Sequence, residues 1–221
     1  MELLQYALDN FELLTSRTLE HIALVAVAVG IATLTGVPIG IAITRNKRAA
    51  QAVLYVASII VTIPSIALFG IMIPILSLIG QGIGYLPAMI AVLLYSQLPI
   101  IRNTYTAIQN VDPALREAAR GIGMSPNQRL SMVEIPLAIP VIMAGVRTAV
   151  VLNIGVMAIA AYIGAGGLGT FISRGISQSD PRQLIVGAVA VSLLAIIADY
   201  TLLAVQKRLT PKGMGNTAIP N

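Results

Sequence analysis

Charged residues along this chain are spaced so that long apolar windows open between them. Ile22 to Thr44 lies between His21 and Arg45 without a charge, and the whole of Ala49 to Ile101 contains no Asp, Glu, Lys or Arg. A helix needs about 20 residues to cross roughly 30 Å of hydrocarbon. The first window therefore predicts one crossing. The second predicts two, with Gly80-Gln81-Gly82-Ile83-Gly84 as the turn between them. Two further windows, about Leu137 to Ile163 with Arg147 inside it and about Leu184 to Val205 with Asp199 inside it, predict a fourth and a fifth. The pattern specifies an all-α integral membrane protein with about five transmembrane helices. Residues 22–205 form the membrane domain, 1–21 an outer segment and 206–221 a tail.

The outer segment has its own periodicity. Leu4, Leu8, Phe11 and Leu14 recur at helical spacing and predict a short amphipathic helix on the outer surface. Its flank is acidic (Glu2, Asp9, Glu12, Glu20) and the basic cluster follows the first window, the reverse of a signal peptide. Orientation follows from the loops. Arg45, Lys47, Arg48, Arg102, Arg116, Arg120, Arg129, Lys207, Arg208 and Lys212 fall on one side, against Arg17, Arg174 and Arg182 on the other. Lys and Arg concentrate in the cytoplasm, which puts the N-terminus outside and the C-terminus inside. The second and third windows are interrupted by Pro64, Pro74, Pro87 and Pro99, with Gly70 nearby. Such breaks either line a pathway or serve as packing kinks.

Composition agrees with the windows. The chain is 57% hydrophobic and only 10% charged, with a mean hydropathy of +0.86, whereas soluble domains carry about 25% charged residues. With no Cys and the single His21, thiolate or His-clustered metal sites, iron–sulfur clusters and disulfides are excluded. The net charge of +5 is read as an orientation signal, with no nucleic acid as partner. A soluble enzyme, a DNA-binding domain and a disordered scaffold are all disfavoured.

The most informative stretch is the basic-side loop, about 111–136. Asp112-Pro113 supplies an N-cap followed by proline at the first helical position. A helix Ala114 to Arg120 then stops at Gly121-Ile122-Gly123. Ser125-Pro126-Asn127-Gln128 restarts it with a capping box, and the second helix is expected to run to Glu134 and end before Pro136. Residues 102–134 hold four basic and three acidic side chains, too even a balance for phosphate binding. Ala118, Ala119 and the left-handed freedom of Gly123 suit close approach by another surface. These features favour a protein-docking knob over a plain connector.

Glu117-Ala118-Ala119, three residues, Gly123, nine residues and then Val133-Glu134-Ile135-Pro136 resembles the EAA motif of ABC importer permeases, Glu-Ala-Ala-x3-Gly-x9-Ile-x-Leu-Pro. Val133 and Ile135 depart from it conservatively. The resemblance implies the type I ABC importer permease fold, with this loop as the coupling helix seated in a cleft of an ATPase. Glu117, Ala118, Ala119 and Gly123 would be the contacts. It extends over roughly Ile59 to Ala198. The stretches Leu94 to Tyr105, Pro140 to Thr148 and Ile163 to Gly169 resemble the glycine betaine/carnitine/choline branch, parts of which are shared with permeases for methionine and other small solutes. The implied partners are a cytoplasmic ABC ATPase dimer, a second permease chain (identical or homologous), an extracytoplasmic substrate-binding protein and the lipid bilayer. ATP and Mg would be bound by the ATPase, leaving this chain without a cofactor and without catalysis.

A few polar residues lie inside the windows. Arg147 and Asp199 fall at similar depth, counted at about 1.5 Å per residue from the basic side, which allows an ion pair or a place on the solute route. Tyr95, Tyr162 and Asn153 are further candidates for the route, since a quaternary ammonium group is drawn to aromatic faces. Gly164-Ala165-Gly166-Gly167-Leu168-Gly169 lacks the Lys-Ser/Thr of a phosphate loop and predicts an irregular outer segment of closely approaching backbones. An ion-coupled secondary transporter is the reading from another class. It would depend on intramembrane carboxylates, of which Asp199 is the sole example in the windows.

Overall fold

The computed structural model describes residues 2–210, and the regular elements among them are helical. In chain order they are α1 (Glu2–Asp9), α2 (Phe11–Ala42), α3 (Lys47–Thr62), α4 (Ser65–Ser77), α5 (Tyr85–Gln109), α6 (Pro113–Gly121), α7 (Pro126–Arg129), α8 (Ile135–Ala160), α9 (Gly169–Ser177) and α10 (Pro181–Leu209). Helices α2, α5, α8 and α10 are each long and apolar enough to cross a membrane, while α3 and α4 meet at a 97° bend. The Gly84 N–H, in the turn after α4, donates to Ile163 O at 2.7 Å just beyond α8. The bent pair therefore runs the length of the bundle and supplies the fifth passage. Lys212 and the remainder of the expected tail lie outside the described residues. Its first residues, to Leu209, continue α10.

Small residues decide how the helices meet. Ala28, Ala32, Gly36 and Gly40 follow one another at four-residue intervals along α2 and are all buried. A Cβ built at Gly36 would stand 2.9 Å from Ile100 Cγ2, and one at Gly40 2.6 Å from Thr104 Cβ, so α2 and α5 touch almost backbone to backbone. Gly145 of α8 approaches the other flank of α5, where its Cβ would stand 2.6 Å from Asn103 Cβ. Close approach by small residues is the main source of packing energy between helices in lipid, because apolar side chains gain nothing by leaving an equally apolar solvent. Phe69, Val92, Ile100 and Met157 fill the spaces beside this stripe. The outer faces keep their Leu, Ile and Val exposed, as on α10 at Leu193, Ile196 and Ile197, which suits contact with acyl chains.

Three expectations are corrected. The short amphipathic helix expected through Leu4, Leu8, Phe11 and Leu14 is not continuous. It turns at Asn10, and residues from Phe11 onward already belong to α2, so only α1 lies apart. There Tyr6 sits 5.9 Å beneath the Arg182 guanidinium, and its partial burial pushes the phenol up, with nearby Asp180 adding to the rise. Asp180 caps α10, accepting from Arg182 N–H at 3.0 Å. Secondly, Pro64 marks a break, not a kink: Ile63 is driven into extended geometry (ψ 125°), as a residue preceding proline prefers. Pro38, Pro74, Pro99 and Pro140 remain inside helices. Thirdly, the helix after Ser125 does not end before Pro136. It passes through a π-helical turn, Leu130–Glu134, straight into α8, and the widened turn accommodates Pro136, which lacks the N–H that would continue the ladder.

Candidate coupling site

The arm formed by α6 and α7 is built from local sequence. Asp112 Oδ1 accepts the Ala114 N–H at 2.8 Å and starts α6. The helix ends in a reciprocal cap: Met124 N–H donates to Ala119 O at 3.1 Å, and Gly123 N–H to Arg120 O at 2.9 Å. That pattern needs a left-handed residue between the two, and Gly123 has φ +83°. Nothing lies within 4 Å of a Cβ added there, so backbone conformation, not space, requires glycine. Ser125 and Gln128 form the capping box that restarts the chain, with Ser125 N–H donating to Gln128 Oε1 at 2.9 Å.

The predicted contact residues do not all face outward. Glu117, Ala118 and Gly123 are exposed, whereas Ala119 is buried at 4% and packs inside the arm. The large exposed apolar residues of the arm are Leu115 and Ile122, the latter 75% exposed at the tip. Sequence reading passed over both. The signal was available in Ile122, a large aliphatic residue placed between two glycines where no core can receive it.

The base of the arm is ionic. Glu134, nearly buried, accepts from Arg129 Nε at 2.8 Å, and Arg116 Nε lies 3.4 Å from the same oxygen as an ion pair without a hydrogen bond. Arg116 also donates to Ile108 O at the end of α5. Arg45 Nη2 donates to Asn127 Oδ1 at 3.3 Å, and Gln109 Nε2 to Thr44 O at 3.0 Å. The arm is thereby fastened to α5, to α8 and to the end of α2.

Among the intramembrane groups, Arg147 Nε lies 2.8 Å from Asp199 Oδ1, joining α8 to α10. Gln206 extends the contact, accepting from Arg147 Nη1 at 3.4 Å and donating to Pro140 O at 2.9 Å, the latter in the part of α8 that holds a proline. About a third of each charged side chain stays exposed on the flank of the bundle. Tyr95 and Asn153 are packed inside instead. The Tyr95 hydroxyl donates at 2.5 Å to Ile63 O, the carbonyl stranded at the α3/α4 break. Asn153 Nδ2 donates to Ser96 Oγ and to Ala149 O, each at 2.9 Å. Both hold helices together. Tyr162 is exposed at the opposite end from the arm. There the glycine segment turns through Gly164, Gly166 and Gly167, all with positive φ. Gly167 donates its N–H to Glu20 Oε2 at 3.1 Å and packs on the buried His21, whose Nε2 meets Ile154 O at 3.1 Å.

The molecule is thus a polytopic helical protein whose capped, apolar-tipped arm joins two of its long apolar helices. Residues 36–212 match the family described as binding-protein-dependent transport system inner membrane component, and the chain belongs to that family. It is 59% identical over 214 residues to the osmoprotectant import permease protein OsmW of Salmonella typhimurium, covering 97% of this chain and all of that one. It is 43% identical to the choline transport system permease protein OpuBB of Bacillus subtilis, covering 96% and 95%. The glycine betaine/carnitine/choline transport system permease protein OpuCB of the same organism is 44% identical, covering 90% and 89%. In fold, the chain matches the MetNI methionine ABC transporter in an inward-facing conformation with a TM-score of 0.79 at 23% identity, covering 90% of this chain and 97% of that one. The chain is accordingly a multi-pass permease subunit of the inner membrane and not itself an enzyme.

Proposed function

We propose that this chain translocates a compatible solute such as glycine betaine, carnitine or choline, as the membrane subunit of an ATP-driven importer. The observation that carries the reading is the α6–α7 arm: a rigid, capped projection with an exposed aliphatic tip, tied by Glu134 to two crossing helices. Such an arm transmits force from a neighbour into the bundle. Glu117, Ala118, Gly123 and Ile122 are the surface offered to the ATPase, on the cytoplasmic side. ATP and Mg stay on that partner, and an extracytoplasmic binding protein delivers solute to the opposite end, beside the glycine segment and α9. Five passages are too few to enclose a route, so two permease chains pair. The solute is held firmly by the binding protein and only loosely along the path, which agrees with the packed positions of Tyr95 and Asn153. The names of the relatives support the solute class.

The test is uptake into proteoliposomes holding the complete complex. Import of glycine betaine, carnitine or choline that needs internal ATP and added binding protein is the expected result. Uptake that persists without ATP and follows the membrane potential would identify an ion-coupled transporter instead.

A further inference from the structure

Just before α8 the backbone departs from α geometry. The Ile135 N–H donates to Leu130 O, five residues back. Pro136 follows, and a proline ring crowds the carbonyl four residues before it, here that of Met132, which opens the turn. A π-turn carries one residue more than an α-turn, and such turns recur at functional sites. In an α-helix, residues five apart sit about 140° apart around the axis, too far for their side chains to meet. The extra residue brings Arg129 and Glu134 onto one face, and Arg129 Nε reaches Glu134 Oε1 at 2.8 Å.

We infer that Glu134 is a positioning residue that latches this π-turn, making it the joint through which the arm moves α8. The same Glu134 oxygen holds Arg116, from the other limb of the arm, and Arg116 is anchored on Ile108 O of α5. One carboxylate thus unites α6, the π-turn, the root of α8 and the end of α5. Without it two guanidiniums converge on a nearly buried point with nothing between them, an arrangement that burial penalises. The five-residue pairing that favours π over α is lost at the same time. Reversion to α geometry turns the arm by one residue, roughly 100° about the axis, relative to α8. An open pocket of about 380 Å³, bounded by Thr44, Arg45, Gln109, Arg116 and Arg129, adjoins the latch.

The inference rests on the reading of the arm as the ATPase contact, and the experiment separates the two. The complete complex, with its ATPase and binding protein, is reconstituted, and solute imported per ATP hydrolysed is measured. Glu134→Gln lowers that ratio about tenfold, within the usual range of coupling between sites. Arg129→Gln, which opens the same latch from the arm, lowers it likewise. An unchanged ratio in these variants, or import and hydrolysis falling in equal proportion, overturns the latch. If Glu134→Gln does not assemble, Arg129→Gln decides by the same criteria. Failure of the underlying reading looks different, because the unaltered complex itself would then show no ATP-dependent import.

Discussion

Gly123 and Glu117 illustrate what a single residue decides. The left-handed φ of Gly123 costs a non-glycine residue about 1 kcal/mol or more, and a charge at that turn would oppose the contact proposed there with the ATPase. Gly123→Asp and Glu117→Lys are expected to insert normally and to abolish the stimulation of ATP hydrolysis by loaded binding protein. Normal stimulated turnover in purified complexes of both variants would refute the contact. Arg147 and Asp199 make a different case. Their 2.8 Å contact neutralises two charges that would each cost about 2.5–3.5 kcal/mol alone at mid-membrane. Arg147→Ala and Asp199→Ala should therefore damage folding and transport alike, and Arg147→Met combined with Asp199→Leu should recover the folded yield. Loss of transport in Arg147→Ala that Asp199→Ala does not mimic would place Arg147 on the solute route.

At the scale of elements, spacing of apolar residues was enough to find the crossings, because lipid demands about 20 such residues and tolerates few charges. The break at Ile63–Pro64 was visible only as a proline. Its 97° magnitude depends on α5, where the Tyr95 hydroxyl waits for the freed Ile63 carbonyl. The continuity of α7 into α8 was not legible either. Pro136 reads locally as a stop, and only the π-turn shows how the helix absorbs it. The α2 stripe went unread because four small residues contribute little to hydropathy, yet they set the closest helix contact. Gly40→Ala, whose Cβ would meet Thr104 Cβ at 2.6 Å, should destabilise the protein by about 1–3 kcal/mol. Gly30→Ala, where nothing lies within 4 Å, should leave the melting midpoint in detergent unchanged or slightly raised, since alanine suits a helix interior better than glycine. Equal midpoints for the two variants would disprove the close approach of α2 and α5.

For the whole molecule the basic residues of the arm, of the α2–α3 connection and of the end of α10 share one end of the bundle, as the loop charges predicted. The chain has no cysteine, so single introduced thiols report cleanly on sidedness. Ile122→Cys at the arm tip should react with a membrane-impermeant maleimide only in inverted vesicles, and Ser177→Cys at the end of α9 only in intact cells. The opposite pattern would reverse the orientation and remove the arm from the ATPase side.

What the sequence determined by itself was the solvent of each segment and the local chemistry of the arm: crossings, caps, the left-handed glycine and the motif. These depend on neighbours within about one helical turn or on hydropathy averaged along the chain. Tertiary structure decided which polar groups meet. It paired Arg147 with Asp199, gave Tyr95 and Asn153 to helix packing, turned Ala119 inward, and gathered Arg116 and Arg129 on Glu134. Those outcomes depend on the rotation of each helix about its axis and on where its breaks fall, and both are fixed only when the helices close on one another.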